Sequence, residues 1–290
     1  ETCYVCISRT FAGAAVVKHN KRVRPISRDP APDFLHWSEP EPMDFGGAPL
    51  EQLYTSSTAP YLRAPHIYIA LPKRFVPGRA ALTEKEADEF DIHQSQCNEI
   101  SDGVFMTSRG GTRYDRLFME AFVTPGRDRR NWGARSLMSA WGMAQTADDQ
   151  LSLYYAEHYG QPVPQLRRYT LRADGFASVR GPWRGGELIT KPFVFDGAEL
   201  RMNYATSAAG SLKVEVQDVQ GRPLDGFRLD QAADHCGDFI DGRLCWRDSA
   251  DISMLAGRPV RLRVVLHDAH LYALRFCCRG DTERATGKTR

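Results

Sequence analysis

Three carboxylates stand in strand-like, otherwise apolar segments: Asp102 in SDGVFMTS, Glu120 in LFMEAF and Glu157 in LYYAEHY. Apolar surroundings penalise the charged form of a carboxyl group, so one such group can be held as an acid while another stays ionised. Two groups so divided perform general acid–base chemistry on a bond placed between them. Glu157 is the sharpest candidate, because Tyr155, His158 and Tyr159 flank it, a grouping suited to raising its pKa and to stacking a sugar ring. For each carboxylate the other reading is a structural ion pair or a hydrogen bond to a turn. Basic and aromatic residues are denser still. Arg63, His66 and Arg74 sit toward the ends of YLRAPHIYIALPKRF, and GRDRRNWGARS adds Arg127, Arg130, Asn131, Trp132 and Arg135. A guanidinium fork binds carboxylates or vicinal hydroxyls in pairs, and an indole offers a flat face to the C–H side of a sugar. Arg63, His66, Arg74, Trp132, Arg135 and His158 are therefore the expected substrate-binding set. Arginines drawn from separate strands favour an acidic or sulfated glycan, with solvated rim arginines as the alternative.

Other chemistries find little support. There is no Gly-x-Ser-x-Gly elbow, phosphate-cradling loop or dinucleotide fingerprint, and Gly110-Gly111 and Gly185-Gly186 read as turn glycines. His235, Asp238 and Asp241 form only a loose loop grouping, so neither metal nor cofactor is expected. The seven cysteines are an odd number. Cys3-x-x-Cys6 lies in a strand-like stretch, where residues three apart face opposite sides and make a poor metal or redox pair. Thirty-eight Lys and Arg against 36 Asp and Glu leave a formal charge of +2, too little field to hold a nucleic-acid backbone or an anionic bilayer. No apolar run reaches the roughly 20 residues that cross a membrane.

Positioning these groups falls mainly to strands. Segments such as GVFMTS, LSLYYAEHY, ELRMNYATS, SLKVEVQD, VRLRVVLHD and LYALRF alternate, and Gly, Pro and Asp break them. The one strong helix signal is LTEKEADEF, residues 82–90, where Thr83 can cap and acids fill the first turn. A weak repeat aligns ISRDPAPDFLHWSEP, MTSRGGTRYDRLF and YTLRADGFASVRGP, each a strand, a tight turn and a strand opened by an aromatic, as propeller blades close. Recurrent Asp and Gly turns of any β-protein explain the same pattern. The expectation is a mainly-β protein with propeller blades over residues 1–182 and a β-sandwich over 183–276. Residues 277–290, including Arg279-Gly280-Asp281, read as a disordered polar tail.

DFLHWSEPEPMDFG, APYLRAPHIYIALPKRFVPGR, SDGVFMTSRGGTRYDRLFMEAF, GRDRRNWGARS and DISMLAGRPVRLRVVLHDAHLYALRF together resemble a group of bacterial proteins, frequent in planctomycetes. That group is related to the five-bladed-propeller glycoside hydrolases of the invertase, levanase and arabinanase type, with a C-terminal sandwich. The resemblance runs from about residue 2 to 276 and implies a secreted or periplasmic protein acting on carbohydrate. It implies a chain that begins partway round the propeller, without the first-blade nucleophilic Asp. Arg28-Asp29-Pro30 matches the motif that carries a transition-state-stabilising Asp in those enzymes, but its place in the repeat makes the match a coincidence. Glycoside hydrolysis requires two carboxyl groups about 5–5.5 Å apart for retention and roughly 6.5–9.5 Å apart for inversion, and Glu157, Asp102 and Glu120 are the candidates. A glycan-binding or structural protein that keeps the cleft without its acids, and an inactive fragment, are the competing readings.

Overall fold

The computed structural model describes residues 3–9, 26–133 and 135–278. The chain divides into two compact units, Glu1–Leu171 and Arg172–Arg290. Both are built from antiparallel sheets, so the mainly-β expectation from strand alternation holds. The Arg279-Gly280-Asp281 tripeptide lies outside the described residues.

In the first unit, β1 (Tyr4–Arg9), β2 (Ile26–Ala31) and β3 (Glu41–Pro42) form one sheet in that order. Then follow β4 (Gln52–Tyr54), β5 (Ala59–Tyr61), β6 (Ala64–Ala70), β7 (Lys73–Pro77), β8 (Glu99–Gly103) and β9 (Met106–Ser108). They interleave as two sheets, β4-β7-β8 and β5-β6-β9. Residues 61–75, whose alternating middle and charged ends suggest one buried strand, are instead the end of β5, all of β6 and most of β7, in two different sheets. Pro72 explains the break, because it has no N–H to carry a ladder onward. Ile26, Leu53, Ala70, Val104, Met106 and Tyr114 pack into one core, which ties the three sheets together.

The helix expected over residues 82–90 forms as α1 (Glu84–Glu89). Thr83 accepts from the Glu86 backbone, and the Glu86 side chain accepts from the Thr83 backbone, so two donors at the helix start are satisfied reciprocally. A short α2 (Gln94–Cys97) follows, and both helices lie in the excursion between β7 and β8. The last sheet of the unit contains β10 (Met138–Ser139), β11 (Ala144–Ala147), β12 (Gln150–Glu157) and β13 (Gln165–Arg172), with β12 paired to the other three. Leu151, Leu153 and Tyr155 alternate inward along β12, which places Glu157 on the same inner face.

The second unit is a five-stranded sheet of β14 (Val179–Gly181), β15 (Gly186–Ile189), β16 (Glu199–Gln217), β17 (Asp238–Arg243) and β18 (Arg261–Cys277). ELRMNYATS and SLKVEVQD, expected as two strands, are one 19-residue strand, and VRLRVVLHD and LYALRF likewise fuse into β18. The joints are register shifts between Asn203 and Tyr204 and between Thr206 and Ser211. They let the inward row of Leu200, Met202 and Tyr204 resume as Leu212, Val214 and Val216. At the second joint a Cβ on Gly210 would come within 2.5 Å of the Asp268 carbonyl oxygen, so only glycine fits.

Candidate functional site

Glu157 ends β12 fully buried, and every approach to its carboxylate comes from β13. Oε2 accepts from Arg167 Nε at 2.7 Å and Gln165 Nε2 at 3.0 Å, and Oε1 accepts from the Tyr169 hydroxyl at 2.5 Å. The residues i, i+2 and i+4 of one strand thus converge on a single group. Burial pushes the Glu157 pKa up, but the bonds from Tyr169, Arg167 and Gln165 outweigh it and hold the carboxyl below its ordinary value. The sequence reading of a raised pKa is corrected here. Its chosen neighbours do not touch the carboxylate: the Tyr155 ring packs edge-on to Tyr169 at 5.3 Å, with its hydroxyl buried and unbonded. His158 turns away, in the left-handed region at φ 54°, and its Nε2 meets Asp128 Oδ2 at 2.8 Å. The buried Asn131 fixes that turn by accepting from the His158 backbone N–H at 3.2 Å. Both Glu157 and Asp128 act electrostatically on Arg167, so the two acid groups and the histidine form one neighbourhood.

The remaining sequence candidates scatter. Asp102, expected as an acid, and Arg74, expected as a ligand contact, grip each other through Nε–Oδ1 at 2.9 Å and Nη2–Oδ2 at 2.6 Å. Arg74 also reaches Glu51 Oε1 at 3.3 Å, and Glu51 accepts from the buried Arg116 at 3.0 Å. The bond to Asp102 raises the Arg74 pKa, so the guanidinium is charged at any working pH. Arg135 pairs with Glu99 at 2.9 Å. Trp132 lies part-buried and donates its indole N–H to the Gly126 carbonyl at 2.8 Å. Arg63 and His66 are exposed, the former in the hairpin between β5 and β6, and Glu120 is exposed. Lys73 is the cation of that segment that goes inside, with Nζ donating to the Arg135 carbonyl at 3.3 Å. Asp241 is held by Arg201 and Arg275, and Asp238 by Arg172, which takes apart the loose grouping with His235. Among the described residues no cluster of three metal-ligating side chains occurs.

A cleft of about 320 Å³ opens elsewhere in the first unit, between β1, β2, the β5–β6 hairpin and the residues around Ser108 and Trp141. That volume falls at the lower end of small-ligand sites. Tyr68, Tyr114 and Trp141 supply aromatic surface, and among the described residues Arg28 supplies the one charged side chain of the lining. The polar groups are largely committed to the protein. Trp141 donates its indole N–H to the Thr58 carbonyl at 2.9 Å, and the Tyr114 hydroxyl donates to Thr58 Oγ1 at 3.3 Å. Trp141 is nevertheless 74% exposed. In the Arg28-Asp29-Pro30 run the strand alternates, so Arg28 faces the cleft beside Ile7 while Asp29 faces away, accepting from Ser8 Oγ at 3.1 Å. Burial, and after it the Asp29 charge, push the Cys6 thiol pKa up on that opposite face. Sequence reasoning passed over all three aromatic residues of the cleft. A tryptophan in the small-residue run SAWG, unable to bury itself there, was the available signal.

By fold the chain is a mainly-β protein of two antiparallel units, with an aromatic cleft in the first. No family model matches it, and no curated protein does. Among solved structures it is similar to a Bombyx mori GH32 beta-fructofuranosidase, BmSUC1, at 6% sequence identity and a TM-score of 0.34, over 97% of this chain and 90% of that one. Among the described residues no helix is long and apolar enough to cross a membrane.

Proposed function

We propose that this chain is a carbohydrate-active protein on the plan of the five-bladed-propeller glycoside hydrolases, with blades over residues 1–182 and a sandwich over 183–276. It binds a glycan in the cleft beside Trp141. The observation that carries the reading is an exposed indole whose N–H is already bonded to Thr58, set beside Tyr68 and Tyr114. Such a ring has only its apolar faces to offer, and the C–H face of a sugar is the matching surface. Among the described residues no Asp or Glu lines the cleft. A secreted or periplasmic location fits this reading. The test is retention on immobilised levan, arabinan, xylan, alginate and carrageenan, with Trp141→Ala beside the parent. Loss of at least ten-fold in affinity for one of these supports the cleft; equal retention by both proteins sinks it. Preference for alginate or carrageenan would establish the acidic or sulfated class.

A second reading, glycoside hydrolysis by paired carboxylates, rests on Glu157, bonded to Arg167, and Asp128, bonded to His158 next to Glu157 in sequence. Glu157 would be the ionised member, with Asp102 and Glu120 as the remaining sequence candidates. Release of reducing ends from the same polysaccharides, abolished in a folded Glu157→Gln variant, would replace the binding reading with this one.

A further inference from the structure

The loop that follows β2 builds a second aromatic surface, outside the cleft. Phe34 is 63% exposed and held at φ 63°, a region that bulky side chains avoid. Asp33 enforces it: Oδ1 accepts from the Leu35 and His36 backbone N–H groups at 3.0 and 2.8 Å, and Oδ2 meets His36 Nδ1 at 2.6 Å. Trp37 closes the turn by donating its indole N–H to the Phe34 carbonyl at 3.0 Å. The result is a fixed row of rings. Tyr4 stands edge-to-face with Phe34 at 5.3 Å, and Phe34 with Trp37 at 5.4 Å. Aromatic side chains fixed in the open by a strained turn and four hydrogen bonds are preorganised for contact, since binding costs them little further ordering.

We infer that Tyr4, Phe34 and Trp37 form an outer binding platform for a glycan chain that leaves the cleft across β1. This rests on the cleft reading above. The occupant follows from continuity: β1 is the outer strand of its sheet, Val5 within it and Cys3 just before it line the cleft, and Tyr4 lies between them on the other face. A chain crossing that edge meets the rings next. His36 and Asp33 border the row with polar groups suited to sugar hydroxyls.

The platform adds a second contact to one ligand, so it acts on long glycans and not on short ones. The test compares polymers of levan, arabinan, xylan, alginate and carrageenan with their trisaccharides. Variants are Phe34→Gly, which keeps the left-handed backbone, Phe34→Tyr, which keeps a ring, and Trp141→Ala. Phe34→Gly is expected to lower polymer affinity about ten-fold, leave trisaccharide affinity unchanged and be restored by Phe34→Tyr. Polymer affinity within two-fold of the parent in Phe34→Gly overturns the platform, and so does an equal loss for polymer and trisaccharide. Loss of self-association, or of binding to phosphatidylserine vesicles, with polymer binding intact overturns it in favour of that occupant. If Trp141→Ala keeps trisaccharide affinity while Phe34→Gly loses the polymer, the cleft reading fails, and with it the course of the chain from cleft to platform. A parent chain that binds none of the glycans defeats both.

Discussion

The Glu157 neighbourhood and the Trp141 cleft lie in the same unit and make opposite use of their side chains. Around Glu157 each charge meets a counter-charge or donor: three bonds reach one carboxylate, and Asp128 meets His158. Around Trp141 the hydrogen-bonding atoms are also spent internally, but broad ring surface is left uncovered. A buried ion pair returns little net stability, because desolvation offsets the attraction, yet removing one partner strands the other. Exposed aromatic surface stabilises nothing by itself. The charged region therefore reads as architecture, and the aromatic region as a surface kept for something else.

Substitutions that separate stability from binding sharpen this contrast. Glu157→Ala carries the largest expected effect, about 3 kcal/mol lost in urea unfolding, at the low end for a broken buried pair because Arg167 is half exposed and can turn to water. Glu157 also gives the fold a pH dependence. Its folded pKa lies below the ordinary value of 4.5, so its stabilisation is full above that value and is lost as pH falls through the folded one. Thermal melting in acid should thus fall less steeply for Glu157→Gln than for the parent. Arg74→Ala leaves Asp102 and Glu51 without their shared partner and should cost about 2 kcal/mol by the same unfolding measurement. Thr83→Ala removes the capping box and should cost about 1 kcal/mol. Trp141→Ala and Glu120→Ala, both at exposed positions, should each stay within about 0.5 kcal/mol of the parent. A stability loss in Trp141→Ala as large as that in Arg74→Ala would break the distinction between the two regions.

Local patterns were legible where local physics decides. Thr83 and Glu86 announce their cap three residues apart, and the alternation in SLKVEVQD marks its inward row. Pairing was not legible. Asp102 and Arg74 are 28 residues apart in sequence, and each invited a separate role until the β7–β8 register put them opposite one another. The same holds for Glu157, whose sequence neighbours suggested a raised pKa while β13 brings the donors that lower it. Charged residues misled because their meaning depends on who arrives to meet them. Trp141 was overlooked because an aromatic residue in a strand-rich sequence is by default a core residue.

The sequence by itself determined a mainly-β chain, one capped helix between strands and a formal charge of only +2. Those properties follow from side-chain period, caps and composition, which act within a few residues of each other. Only the tertiary structure decided which carboxylates were neutralised, that Arg28 faces the cleft while Asp29 does not, and which rings remained open. Strand register and sheet order control these, and they join residues from 8 to 83 positions apart through contacts that no local pattern encodes.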